Sequence, residues 1–203
     1  MSITQEDLNA KVAEIKQKVD VDPEKFLIST VNLTDADCAL MGKLIQLYCF
    51  ADLNARRIID ALRDASMGPE KRNASLLQDA QVFPKLRETI AEVLPDGNDK
   101  EGIIKAADTI EMHRIHRHTF AHWAARRVPG EEALILYTKN AREAERRDGK
   151  PLGTNYLKYA IVSLLTFDEE IKKLAGHGDY IAQRAAEYER NIELIRKTLA
   201  ERR

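Results

Sequence analysis

The stretch that decides the fold is TDADCALMGKLIQLYCFADLNARRIIDALRDAS, residues 34–66. Leu40, Leu44, Leu47, Ala51, Ala55, Ile58 and Leu62 recur at steps of three and four, which puts them in one stripe along a helix. Thr34 followed three residues later by Asp37 has the spacing of an N-terminal cap. The reading is a core helix from 35 to about 66, stopped by Gly68-Pro69.

Outward from this helix, residues 4–19 read as an amphipathic helix ended by Val21-Asp22-Pro23, so that 1–33 form an N-terminal helix and linker and 34–203 the main helical domain. A weaker helix is expected over 70–78 and another from Phe83 to Leu94, before the turn Pro95-Asp96-Gly97-Asn98. From Asp99 one helix is expected to about Arg127, where Pro129-Gly130 stops it. Two β-compatible runs follow, EALILYTKN and YLKYAIVS, separated by the polar stretch AREAERRDGKPLGTN. They predict a β-hairpin, with a helix over 131–147 as the competing reading. Thr166 and Glu169 have the capping-box spacing for the last helix, which has a weak point at Gly176-His177-Gly178. Beyond it Ile181, Ala185, Tyr188, Ile192, Ile195 and Leu199 form a seam for packing within the domain or against a second copy. The expected whole is an all-α helical bundle with a small β-hairpin between its last two long helices.

The chain has 203 residues, 44% of them apolar and 32% charged, with a net charge of -1. Such a chain builds its own core and carries no global field toward nucleic acid or anionic membrane. No apolar run approaches the ~20 residues of a bilayer span, and MSITQEDLNAKVAEIKQK lacks the core of a secretion signal, so no membrane association and a cytoplasmic location are expected. Cys38 and Cys49 fall eleven positions apart on one helix, about 16 Å, and are read as reduced.

Chemistry concentrates in EMHRIHRHTFAHWAARR, residues 111–127, which holds four of the five histidines. The apolar stripe Ile103, Ala107 and Ile110 extends to Arg114 and Arg117, positions where burial is expected. A buried guanidinium needs an anion: either neighbouring carboxylates supply it, or the face opens into a cleft that receives phosphate. His118 and His122 lie one turn apart and can address one point, a spacing that also suits zinc. His113 and His116 project elsewhere and Glu111 is the sole nearby acid, so no complete metal shell is evident. Imidazole with guanidinium suits metal-free and cofactor-free phosphodiester chemistry, because the 2'-hydroxyl of RNA already sits beside the phosphorus. Phe120 and Trp123 flank the same turn, as core residues or as stacking surfaces for an unpaired base. Residues 111–150 carry nine Lys or Arg and six Asp or Glu. Arg126, Arg127, Lys139, Arg142, Arg146, Arg147 and Lys150 there either steer a polyanion or form a solvated loop.

The run Arg117-His118-Thr119-Phe120-Ala121-His122 resembles the mark of the HEPN superfamily: Arg, a polar residue, then His after four to six intervening positions. The order of elements over roughly residues 34–200 is similar to that of bacterial HEPN nucleases. The resemblance implies a metal-independent endoribonuclease without cofactor, working as a homodimer whose motif helices face each other across a basic cleft. It implies that Arg117 and His122 are catalytic and that His118 orients substrate or catalytic groups. From the residues themselves, RNA contacts are expected at Arg114, Arg126, Arg127, Phe120 and Trp123. The resemblance further implies a toxin or antiviral role with a cognate antitoxin or regulatory protein as partner. On an ideal helix Arg117 and His122 stand about 140° apart, which a composite site between two copies, or a helix ending near Ala121, resolves. The alternative is a non-catalytic nucleotide- or RNA-binding or regulatory interaction module of the same fold.

Overall fold

The computed structural model describes residues 5–140 and 157–201. In chain order the helices are α1 (Gln5–Val21), α2 (Pro23–Ser29), α3 (Asp35–Met67), α4 (Asp79–Val93), α5 (Asn98–Met112) and α6 (Arg114–His122). Strands β1 (Ala124–Arg127), β2 (Ala133–Thr138) and β3 (Lys158–Ser163) follow, and α7 (Phe167–Arg190) and α8 (Ile192–Ala200) close the described chain. The expected all-α bundle with a small β-hairpin is consistent with what forms, a mainly helical chain with a small antiparallel sheet. The polar stretch 141–155, with Arg142, Arg146, Arg147 and Lys150, lies outside the described residues.

The α3 start is built as its sequence implies. Thr34 N–H and Oγ1 each donate to Asp37 Oδ2 at 2.8 Å, and Asp37 N–H donates back to Thr34 Oγ1 at 3.2 Å. These bonds satisfy donors that the first helical turn leaves without backbone partners. At the far end Gly68 takes φ 102°, a conformation open to glycine, and Pro69 cannot continue the ladder. The helix expected over 70–78 is instead two 3-10 turns, Pro69–Lys71 and Ala74–Leu76.

The chain divides into two compact units. The first combines residues up to Gly42 with His118–Glu169. Here the sheet order is β1-β2-β3, antiparallel throughout, with Leu136 opposite Ala125 on one side and Ala160 on the other. Val31 adds a bridge to Arg127, exchanging backbone bonds of 3.1 and 3.0 Å. Ile15 and Val19 of α1 pack on Val128, Ala133 and Ile135, flanked by Phe26, Leu27, Tyr159 and Ile161. The turn between β1 and β2 is Val128-Pro129-Gly130-Glu131, closed by Glu131 N–H to Val128 C=O at 3.2 Å with Gly130 at φ 76°. Pro then Gly at the two central positions is the composition a type II turn demands.

The second unit combines Lys43–Arg117 with the chain from Glu170 onward. Leu44, Ala51, Ala55, Ile58 and Leu62 of the α3 stripe are buried there. So are Val82, Leu86 and Ile90 of α4, Ile103, Ala107 and Ile110 of α5, and Ile181, Ala185 and Tyr188 of α7. Each such aliphatic side chain removed from water contributes about 1.5–3 kcal/mol. Tyr48 meets Phe83 edge-on, centroids 5.9 Å apart.

Two expectations are corrected, while the hairpin is present. The helix foreseen from Asp99 to Arg127 is two helices interrupted at His113, and its last part is strand β1. The foreseen hairpin forms from β2 and β3, and β1 pairs with the other edge of β2 to make three strands. Residues 133–138 are strand, against the competing helix over 131–147. The weak point at Gly176-His177-Gly178 lies inside an unbroken α7, where a Cβ added at Gly178 would meet Ala51 Cβ at 3.7 Å; the chain breaks at Asn191 instead. Ile192, Ile195 and Leu199 of the seam are half-buried. Cys38 and Cys49 are free thiols. Among the described residues no helix is long and apolar enough to cross a membrane.

Candidate functional site

The histidine-rich segment is folded by a change of helical phase. Met112 ends α5 and His113 adopts φ -79°, ψ -7°, after which α6 restarts at Arg114. The break rotates the stripe inherited from Ile103, Ala107 and Ile110. Thr119, Phe120 and Trp123 become the buried positions, while Ala121 and Ala124 are exposed.

His113 is 2% exposed, and neither ring nitrogen has a hydrogen-bond partner. Glu170 Oε2 stands 3.5 Å from its Nε2. Burial pushes the imidazole pKa below its ordinary value, helped by the neighbouring His116, against the opposing pull of Glu170. His113 and His116 rings lie 5.9 Å apart. This histidine is a packed, neutral core group rather than a proton carrier open to substrate.

His118 and His122 form the second pair, with ring centroids 4.6 Å apart and planes tilted by 49°. His122 is exposed and His118 half-buried. The one-turn spacing foreseen from sequence does bring both rings to one place. Among the described residues no group of three or more His, Cys, Asp or Glu is placed to hold a metal ion.

Arg117 is half-buried and its Nη1 lies 3.2 Å from Asp79 Oδ2, at the first turn of α4. Its Nε is buried without a hydrogen-bond partner, as is Arg114 Nε. The other oxygen of Asp79 lies 3.7 Å from Arg56 Nη2. Of the two accounts of a buried guanidinium, carboxylate pairing therefore describes Arg117.

The other residues expected to contact RNA have the following surroundings. Phe120 and Trp123 are each 6% exposed, and Phe120 packs edge-on against Phe167 at 5.4 Å. Both are core residues whose ring faces are not offered to a base. Arg127 Nη1 donates to Asp37 Oδ1 at 2.7 Å and Nη2 to Glu132 Oε1 at 2.8 Å. Those bonds, with Glu132 the stronger influence, hold its pKa above the ordinary arginine value and neutralise the charge internally. Arg126 bonds Asn32 Oδ1 and the carbonyl of Thr30. These partners among the described residues are neutral.

Sequence reasoning passed over Asp79, Tyr48 and the role of Arg56. Asp79 opens a helix whose start was expected four residues later. The missed signal was Gln78 with Gln81: Gln78 N–H donates to Gln81 Oε1 at 2.9 Å, one half of a capping box. Comparison of the chain with protein-family models, with curated proteins and with solved structures found no match.

Proposed function

We propose that this protein is a metal-independent endoribonuclease that acts as a homodimer, with His122 as the proton-transferring residue, His118 as its positioning neighbour and Arg117 as the group that stabilises the phosphoryl oxygens. The 2'-hydroxyl attacks phosphorus as its proton passes to His122. The bond to the 5'-oxygen breaks, and that oxygen takes a proton from the partner subunit's His122. The products are a 2',3'-cyclic phosphate and a free 5'-hydroxyl, so atoms balance without added water. The observation that carries this reading is the exposed His122 ring, 4.6 Å from His118. A solvent-reachable imidazole beside a second one can take and give a proton. The Arg117-to-His122 spacing of the HEPN mark supports it, and a role as toxin or antiviral effector, with an inhibitory protein partner, follows from that resemblance alone.

The ion pair of Arg117 with Asp79 favours a second reading, a non-catalytic nucleotide- or RNA-binding or regulatory module in which Arg117 is structural. One experiment separates the two. Purified protein is incubated with total cellular RNA in EDTA, beside His122→Ala and Arg117→Ala. The nuclease reading expects cleavage with cyclic-phosphate ends, reduced at least about 100-fold by either change. Cleavage that survives His122→Ala, or no cleavage by any of the three proteins, refutes it.

A further inference from the structure

The carboxylate of Asp79 bridges two arginines from different helices, one oxygen toward each: Oδ2 toward Arg117 of α6 and Oδ1 toward Arg56 of α3. Arg56 is fixed before Asp79 enters the account. Its Nε donates to Asp52 Oδ2 at 2.7 Å, and its Nη1 donates to the carbonyls of Ala74 and Leu77 at 2.7 and 2.9 Å. That leaves Nη2 as the nitrogen aimed at Asp79. Arg117 likewise has Nη1 on Asp79 and an unpartnered, buried Nε. Tyr48 is 1% exposed with its hydroxyl unpartnered. Burial is the main cause that raises its pKa, and Asp52, Arg114 and Asp79 all act on it electrostatically. Asp79 itself has a side chain 54% exposed, so it can leave this position for water at small cost.

We propose that Arg56 and Arg117 form a phosphate-binding subsite in which the Asp79 carboxylate is the resident anion, displaced when a phosphate group binds. The proposal deepens the reading of Arg117 as a phosphate-binding residue and rests on it. A carboxylate has two oxygens and spends one on each guanidinium. A phosphate presents the same bridging pair with a comparable charge, one oxygen for Arg56 Nη2 and one for Arg117. The internal acid therefore competes with the ligand for the same nitrogens. The carboxylate and phosphate accounts of these arginines describe two states of one site.

The test measures binding, not cleavage, so that it stands apart from the nuclease assay. A fluorescein-labelled oligothymidylate 12-mer, which lacks the 2'-hydroxyl, is titrated by anisotropy at fixed ionic strength, with and without a 5'-phosphate. Asp79→Asn keeps the side-chain shape and removes the competing charge, and is expected to tighten binding about tenfold. Arg117→Gln or Arg56→Gln placed on the Asp79→Asn background is expected to abolish the gain. A gain with both probes assigns an internal diester as ligand, and a gain confined to the 5'-phosphorylated probe assigns a terminal phosphate; each supports the subsite. Unchanged or weaker binding by Asp79→Asn, in protein whose thermal melt matches the parent, overturns it. Should Asp79→Asn melt early, the parent protein decides: its Tm must rise in inorganic phosphate relative to sodium chloride at equal ionic strength, and no rise overturns the subsite. Tighter binding without RNA cleavage by any variant upholds the subsite while the nuclease reading falls.

Discussion

Replacing Asp37 by alanine removes three bonds to its carboxylate, the two Thr34 donations and the Arg127 Nη1 bond, while the backbone N–H at 37 keeps its bond to Thr34 Oγ1. Loss of this reciprocal half of the capping box costs about 1 kcal/mol. The charged bond to Arg127 is worth about 1.5–3 kcal/mol more. Arg127 is not left stranded, because Glu132 retains it and about a fifth of the side chain reaches water. The full penalty of a broken buried pair, about 3–5 kcal/mol, is therefore not reached. The expected loss is about 3 kcal/mol, equivalent to a Tm lower by about 6–12 °C for a chain of this length. Urea unfolding followed by circular dichroism at 222 nm measures it. The pH dependence gives an independent check. Burial alone would raise the Asp37 pKa, but the Thr34 and Arg127 bonds outweigh it and hold the carboxyl below its ordinary 3.8. A depressed acid contributes stability that is complete above pH 3.8 and lost as pH falls from there through the folded-state value. Asp37→Asn must therefore flatten the acid limb. A loss under about 1 kcal/mol for Asp37→Ala, with an unaltered acid limb for Asp37→Asn, refutes the reasoning.

Two further outcomes are expected. His113, held neutral by burial, binds fewer protons folded than unfolded below its ordinary pKa of 6.5, so it contributes stability that is full above pH 6.5 and declines as pH falls; urea midpoints at pH 7.5 and 5.5 must differ less in His113→Leu than in the parent. Asp64 is 3% exposed and accepts from Arg72 Nε at 2.9 Å and Arg196 Nη2 at 2.9 Å, so Asp64→Ala is expected to lower stability by about 2–3 kcal/mol, with a coupling to Arg196→Ala of at least about 0.5 kcal/mol in a double-mutant cycle.

What was legible in the sequence is what is decided locally. The α3 helix could be read because its cap, stripe and Gly68 stop are each written within a few residues of where they act. β2 and β3 could be read because apolar β-branched runs between polar stretches favour little else. What escaped was decided by partners far along the chain. Ala124 to Arg127 has good helix formers throughout, yet pairing with Leu134 to Tyr137 and the bridge to Val31 outweigh that preference. His113 interrupts the helix without any Gly or Pro to announce it, and the phase change moved burial from the foreseen positions to Thr119, Phe120 and Trp123. For the candidate site, the spacing of His118 and His122 carried over directly. The partners of Arg117 and Arg127 did not, because an ion pair between Asp79 and a residue 38 positions away leaves no local pattern.

Arg56 also sets a limit on what may stand in its place. Two carbonyls of a segment without regular helix share Nη1 of that one planar group, and a carboxylate one turn back on α3 takes its Nε. Lysine would bring the same charge on a single nitrogen and reach them only in turn. The connection between α3 and α4 is thus tethered by shape as much as by charge, and a substitution usually called conservative would set it adrift.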